Sequence, residues 1–305
     1  MYRVLRNKGN DCWLNTLVQC FNALPLQRLL TAVERCNVPP VVSILIDSLR
    51  KLDENKEQPL HLGELHKAFH SQFHYIPGAQ NNIHESFTNL CSGGGRYDDV
   101  VGSHFQGAIR YIKTCTECNK IVNCNPEPFT TIFVPLANDI IDIGESIEDS
   151  LNEDSIAAFC DRCDKRMNHN RKGCFVFLPE TLVIAFKRFE MCDGYSDKKH
   201  MNASLSCDLQ MLINEHFHDY RLTSCALHYG TQIQTGHYTA LVCKNNNVTE
   251  LDDTVTKDVS RNWQQYSAKT VYLAFYCKKA NSVNDVSTDN RKCSEVDPQK
   301  TSKKK

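Results

Sequence analysis

Near Phe105 the spacing of apolar residues changes from helical to alternating, and this switch restricts the possible folds more than any other feature of the chain. Before it, Trp13, Leu14, Leu17, Val18, Phe21 and Leu24 share one broad helical face, with Asp11 placed to cap the helix and Pro25 to close it. Val41, Ile44, Leu45, Leu49 and Leu52 make a second helix after Pro39-Pro40. Leu62, Leu65, Phe69 and Phe73 make a third, and Ile83 to Leu90 a short fourth, ended by Gly93-Gly94-Gly95. Beyond Phe105 the runs Ile109 to Ile112, Phe129 to Val134, Cys174 to Leu178, Thr181 to Phe186, Tyr220 to His228, Tyr238 to Cys243 and Thr270 to Tyr276 read as strands. The fold class is therefore α+β, a helical lobe over about 1–104 followed by antiparallel sheet over about 105–279. The acidic stretch Ile140 to Asp154 reads as a solvated loop leading into a short helix around Leu151 to Phe159. Residues 280–305 carry almost no large apolar side chain and are expected to be disordered.

Charge excludes some classes of partner. With 35 basic and 36 acidic residues the net charge is -1, so no overall field favours nucleic acid or an acidic membrane. No apolar run reaches the 18 or so residues of a membrane span, and Met1 to Arg6 is not followed by a secretory apolar region. The 16 cysteines are scattered, which suits reduced thiols in an intracellular protein, cytoplasmic or nuclear, better than a disulfide framework.

Two local features carry chemistry. In Asn7-Lys8-Gly9-Asn10-Asp11-Cys12-Trp13, Cys12 opens the first helix, where unpaired backbone N–H groups and the positive helix end favour a thiolate. Gly9 leaves room for a substrate backbone. A cysteine in this place is either a nucleophile or a core residue. His237, after Gly236 at the start of an alternating strand, is the best-placed base, and Asp252 or Asp253 offers a carboxylate to orient its imidazole. Composition does not select this pairing from 12 histidines.

The second feature is the pair of CxxC units, Cys115-Thr116-Glu117-Cys118 and Cys160-Asp161-Arg162-Cys163. Together they supply four thiolates for one closed structural zinc, with no open position for catalysis. The alternative is a redox couple; two such units amid Asn, Asp and Lys favour metal. Their spacer is too long for one compact finger, so the metal joins separate parts of the sheet region. Cys124 and Cys174 read as core or surface thiols.

Taken in order, these segments resemble the ubiquitin-specific protease family of papain-like cysteine deubiquitinases, over about Arg6 to Lys278. Gly9, Asn10, Cys12, Asn15 and Gln19 stand where its cysteine box has them, with Asp11 for threonine, Trp13 for tyrosine, Thr16 for serine and Val18 for leucine. Tyr220, Leu222, His228, Gly230 and Gly236-His237-Tyr238 match its histidine box. Leu251-Asp252-Asp253, Tyr272 to Tyr276, and Leu178 to Ile184 with Lys187-Arg188-Phe189 match its later stretches. The resemblance implies one catalytic domain over 1–279, shaped as an open hand with helical thumb, antiparallel β palm and zinc-ribbon fingers. It implies Cys12 as nucleophile, His237 as general base and acid, Asp252 as orienter, Asn7 as oxyanion donor and Asp253 as an auxiliary. It also implies one structural Zn2+ on Cys115, Cys118, Cys160 and Cys163, no catalytic cofactor, and ubiquitin or a ubiquitin-like modifier as partner.

The substrate groove departs from the pattern. Gln80, Asn81, Asn82, Ile83, His84, Glu85 and Ser86 stand at the family's Gln-Gln-Asp-Ala-His-Glu-Phe, so Glu85 keeps an acidic group while Asn82 replaces an aspartate. Asn82, Glu85, Gly236 and Tyr238 are the expected substrate-binding residues, and His84 is assigned no chemistry. A neutral group captures a basic tail less well than a charged one, by roughly 1 kcal/mol. Asn82, with Val248 where the family often has tryptophan, keeps open a protease for another modifier ending in Gly-Gly. A ubiquitin-binding module without catalysis would lack nucleophile, base or orienter, and none is missing. A zinc-stabilised interaction domain unrelated to ubiquitin is the remaining reading.

Overall fold

The computed structural model describes residues 2–54, 57–92, 99–136, 143–151, 154–192, 195–199, 201–213, 216–233 and 235–279. The tail 280–305 and the Gly93-Gly94-Gly95 helix stop lie outside these residues. Six helices come first: α1 Cys12–Asn22, α2 Gln27–Val33, α3 Pro40–Asp53, α4 Gly63–Phe73, α5 Ile83–Cys91 and α6 Val100–Phe105. The four long ones follow the apolar spacing of the sequence. α2 and α6 are too short for a clear periodic pattern.

The strands divide into two larger sheets and a hairpin. The fingers contain β1 Gly107–Cys115, β2 Ile121–Asn123, β3 Glu127–Phe129, β5 Asp154–Cys160 and β6 Lys165–Phe177, ordered β2-β1-β6-β5 with β3 also on β1. The palm contains β4 Ile132–Pro135, β7 Thr181–Lys187, β10 Asp208–Ile213, β11 His216–Gln232, β12 Thr235–Lys244, β13 Asn247–Asp252, β14 Val255–Asp258 and β15 Val271–Lys278. Its order is β14-β13-β12-β11-β15-β7-β4, with β10 on the first half of β11. β8 Phe189–Cys192 and β9 Tyr195–Lys198 form the hairpin, and α7 Ile143–Leu151 and α8 Trp263–Ser267 complete the elements.

Both faces of the palm are covered, which explains why β7 and β15 read as unbroken apolar runs. Val183 and Ala185 of β7, Leu273 and Phe275 of β15, and Tyr238, Ala240 and Val242 of β12 pack toward the thumb. Their neighbours Leu182, Ile184, Ala274, Tyr276 and Leu241 pack into a second core with α7. Strand period two thus assigns each side chain to a core. Helix α1 lies on β12, and Phe21, Phe87, Phe105 and Phe275 interlock α1, α5, α6 and β15 at ring separations of 5.0 to 6.4 Å. On the other side, buried Arg188 donates to the carbonyl oxygens of Ala268 at 2.6 Å, Met201 at 2.8 Å and Val271, so a cation anchors the chain through backbone dipoles.

Four local expectations change. The helix is 143–151, and Asp154–Cys160 is strand β5 instead of helix. Pairing of Asp154 through Cys160 with Arg171 through Lys165 overrides the helix preference of Ala157-Ala158. The run Phe129 to Val134 breaks at Thr130-Thr131 and serves two sheets. The palm contains one parallel pair, β4 on β7. Asp11 is the N-cap of α1, yet its side chain makes no cap hydrogen bond there; it turns back to accept from the Lys8 N–H at 3.1 Å.

Candidate active site

The cleft is assembled where the start of α1 meets the far strands of the palm. Cys12 is the first residue of α1 and only 3% exposed. His237 stands on β12, and Asp252 ends β13 two strands from β11. Asp252 Oδ1 lies 2.6 Å from His237 Nε2. The imidazole also meets the Cys12 thiol, and that interaction, with Asp252 second among the raising causes, lifts the His237 pKa to about 9 against the effect of burial. An imidazolium is therefore favoured between sulfur and carboxylate.

Consecutive carboxylates have separate jobs because Asp253 takes a left-handed conformation, φ 50°. Asp252 faces His237. Asp253 turns to the thumb, where its Oδ2 accepts from Asn7 Nδ2 at 2.9 Å and its Oδ1 from Asn15 Nδ2 at 2.7 Å. Its backbone oxygen also accepts from the Leu5 N–H at 2.9 Å. Asn7 Oδ1 in turn accepts from the N–H groups of Gly9 at 2.9 Å and Asp11 at 3.3 Å. The Asn7 amide is thus fixed in orientation while its second N–H remains available as a donor. Nothing lies within 4 Å of a Cβ built on Gly9, so the molecule itself does not require glycine there.

Gln80 is a neighbour to which the sequence reading gave no role. Both its Oε1 and its Nε2 are 3.6 Å from Cys12 Sγ, laying the amide across the sulfur. Its place two residues before Asn82, in the box that carries the resemblance, was the available signal. Asn15 was matched to the cysteine box, but its partner is visible only in three dimensions.

The expected groove residues occupy different surroundings. Asn82 caps α5, accepting from the N–H groups of His84 at 2.8 Å and Glu85 at 3.4 Å, and its Nδ2 donates to the Tyr272 hydroxyl at 3.2 Å. Asparagine therefore keeps the acceptor that a cap needs while removing charge from the groove. Glu85 is exposed in the first turn of the same helix. Gly236 has φ 141°, and a Cβ there would lie 2.3 Å from Tyr229 O and 2.7 Å from His228 Nε2, so no side chain fits. Tyr238 is fully buried, its ring 4.7 Å from that of His228 and its hydroxyl without a hydrogen-bond partner among the described residues. His84 contacts Thr131 Oγ1 at 3.2 Å, and burial lowers its pKa to about 4, leaving it neutral.

At the distal end of the fingers, Cys115 and Cys160 end β1 and β5, and Cys118 and Cys163 follow in the turns. The four sulfurs lie within 4.8 Å of one another, with Cys115–Cys163 at 4.0 Å and Cys118–Cys160 at 3.5 Å. Four sulfurs tetrahedral about a zinc with bonds near 2.3 Å would stand roughly 3.8 Å apart, so the cluster could hold this ion. The two turns are alike, each followed by a left-handed residue, Asn119 at φ 57° and Asp164 at φ 53°. The N–H of Cys163 helps pull the Cys160 thiol down to about 7, while the hydrogen bond with Cys118 pushes the Cys163 thiol up to about 12, so the four sulfurs hold protons unequally. Lys120 and Asp161, one from each turn, pair at 2.8 Å.

Known proteins are similar to this chain in sequence and in fold. Residues 3–276 match the family model described as Ubiquitin carboxyl-terminal hydrolase. Ubiquitin carboxyl-terminal hydrolase 26 of Oryza sativa subsp. japonica is 22% identical over 273 residues, covering 80% of this chain and 24% of the relative. Ubiquitin carboxyl-terminal hydrolase 48 of Rattus norvegicus is 26% identical over 157 residues, 47% of this chain and 15% of the relative. The chain thus spans a quarter or less of the length of these curated relatives. The solved SAGA Ubp8/Sgf11/Sus1/Sgf73 DUB module bound to ubiquitin aldehyde has the same open-hand α+β fold, with a TM-score of 0.74 at 18% identity over 91% of this chain and 70% of that one. The chain belongs to the ubiquitin carboxyl-terminal hydrolase family.

Proposed function

We propose that the chain is a cysteine-type deubiquitinating peptidase that cleaves the peptide or isopeptide bond after the C-terminal glycine of ubiquitin. The observation that carries this is that Cys12, at a helix start, interacts with the His237 imidazole, which Asp252 holds at 2.6 Å. Family membership and a structural relative solved with ubiquitin aldehyde support the substrate.

Cys12 sulfur attacks the glycine carbonyl, and the carbon–oxygen π electrons move onto oxygen. The free N–H of Asn7 donates to that oxyanion, a contribution of about 3 to 4 kcal/mol for one such donor. Collapse of the intermediate breaks the carbon–nitrogen bond as His237 gives its proton to the leaving amine. The product is a thioester on Cys12. His237 then takes a proton from water, whose oxygen displaces the sulfur and releases the glycine carboxylate. Asp252 orients His237 throughout, Asp253 holds Asn7, and Gln80 lies close enough to steer the sulfur. Glu85 and Asn82 face the modifier's basic tail, and Gly236 lets it pass close to the backbone. One structural Zn2+ on Cys115, Cys118, Cys160 and Cys163 would fix the fingers and supply no chemistry to the cleft.

Initial rates on C-terminal reporters of ubiquitin and of other modifiers ending in Gly-Gly test the reading. Ubiquitin is expected to be turned over fastest. Failure to cleave any reporter contradicts hydrolysis, and preference for a different modifier contradicts the substrate alone.

A further inference from the structure

Beside the Asp252–His237 pair lies a second carboxylate that takes no part in the proposed chemistry. Glu250 precedes Asp252 by two residues on β13, and Thr239 follows His237 by two on β12, so strand period two puts all four on one face of the palm. Tyr229 of β11 stands directly across the ladder from His237 and shares that face. Glu250 is only 6% exposed, and three hydroxyl groups donate to it. Tyr229 at 3.0 Å and Thr239 at 2.8 Å meet Oε1, and Tyr266 of α8 meets Oε2 at 2.6 Å. The Lys257 ammonium lies 3.4 Å from the Tyr266 hydroxyl and 4.5 Å from the centre of its ring, so it reaches Glu250 through Tyr266. A buried carboxylate is costly unless hydrogen-bonded, and here the donors tie β11, β12 and α8 to β13.

The tie falls where backbone pairing stops holding His237. Tyr229 and His237 form the last regular pair of β11 and β12; the register then shifts before Gln232 meets Thr235, and Gly230 and Gly236 have φ of 137° and 141°. Such an irregularity leaves residues unpaired and bends the strand. Packing does not compensate, since the side chains of His237 and Asp252 are 40% and 44% exposed. A cavity of about 350 Å³ adjoins them, lined also by Tyr229, Glu250, Tyr266 and Val255. It gives the imidazole and the Asp252 carboxylate room to leave their 2.6 Å contact.

We infer that Glu250 is a positioning residue for the hydrolysis: by gripping Tyr229 across from His237 and Thr239 beside it, its carboxylate fixes β12 against β13 where Asp252 meets His237. The kinetic consequence rests on the reaction proposed above; the placement of His237 does not. Misplacement of a reacting group by about 1 Å is enough to cost rate. Glutamine at position 250 would preserve the tie, because its carbonyl oxygen can accept from both Tyr229 and Thr239 as Oε1 does, and its N–H can donate to the Tyr266 oxygen. Alanine would remove all three bonds.

The test is steady-state turnover of a ubiquitin C-terminal reporter together with NMR titration of His237. Glu250→Ala should lower kcat at least about tenfold with KM within about twofold, Tyr229→Phe should lower it about threefold, and Glu250→Gln should keep it within about twofold. Tyr229→Phe removes no charge, yet His237 should titrate below its value of about 9 there, as the contribution of Asp252, which adds to that of Cys12, weakens. A role in stability alone would lower the thermal midpoint and leave kcat and the titration in place. Wild-type kcat or an unchanged titration in folded Glu250→Ala or Tyr229→Phe protein would overturn the inference, as would a loss in Glu250→Gln equal to that in Glu250→Ala. If Glu250→Ala protein does not fold, Tyr229→Phe, which alters one hydroxyl, decides. If the unsubstituted protein cleaves no reporter, the proposed function fails while the His237 titration still decides the role of Glu250.

Discussion

The two sulfur sites of this molecule are built in opposite ways. In the fingers, each CxxC unit makes a turn of its own, closed by Asn119 N–H on Cys115 O at 3.0 Å in one and Cys163 N–H on Cys160 O at 3.1 Å in the other. Neighbouring strands then lay one turn against the other. In the cleft, Cys12 acquires its chemical environment only when α1 docks on β12 and the Asp252-Asp253 turn reaches across to Asn7 and Asn15. The fingers depend on short sequence spacing, and the cleft on the packing of thumb on palm. Loss of a ligand should therefore affect stability in the fingers, and loss of a reacting group should affect rate in the cleft.

The sharpest form of this contrast is Cys12→Ala, which should lower turnover of a ubiquitin reporter by about 10⁴-fold or more while leaving the thermal midpoint nearly unchanged above about pH 9, where the His237 contribution to stability is already lost. Next in size, Asn7→Ala should lower kcat by about 10²- to 10³-fold through loss of the oxyanion donor. Asn7→Asp supplies no donor and should do no better. If either retains full kcat, Asn7 serves only to close its turn.

Zinc removal or Cys160→Ser should act the other way, lowering the thermal midpoint by about 5 to 10 °C while kcat at saturating substrate falls only a few fold. A large loss of kcat with an unchanged midpoint would break the contrast between the regions.

Protonation sharpens it further. His237 should titrate near 9 by NMR, with Cys12→Ala lowering that value most and Asp252→Asn less, following the order of the causes. Because the folded value lies above the unfolded value near 6.5, the pair's contribution to stability is complete below about 6.5 and is lost as pH rises through about 9. The smallest effect on kcat within the cleft is expected from Asp253→Asn. Its single amide oxygen can accept from Asn7 or Asn15 but not both, and its N–H group meets the other donor, so one charged hydrogen bond is lost and kcat should fall by about 1.5 kcal/mol, roughly tenfold. Full activity would show that its charge is not used.

How legible each region was follows from the same difference. The four-cysteine cluster was readable from the CxxC spacing because the turn that brings two sulfurs together is local. So were α1, α3, α4 and α5, whose apolar faces repeat over several turns. Cys12 was readable as a thiol at a helix start, but its partner among 12 histidines was chosen only through the resemblance, since nothing local to His237 points to Cys12. Strand β5 was misread because Ala157-Ala158 favours a helix in isolation, and its pairing with β6 is a tertiary fact. The role of Asp253 needed its φ of 50°, which sequence did not supply.

The central claim is that Cys12 is the one nucleophile and that His237 activates it. Ubiquitin bearing a thiol-reactive group at its C-terminus, followed by peptide mapping of the adduct, measures this directly. One adduct on Cys12 is predicted, formed more slowly in His237→Ala protein and absent from Cys12→Ala protein. An adduct on any other cysteine, or an unchanged rate without His237, would contradict the account.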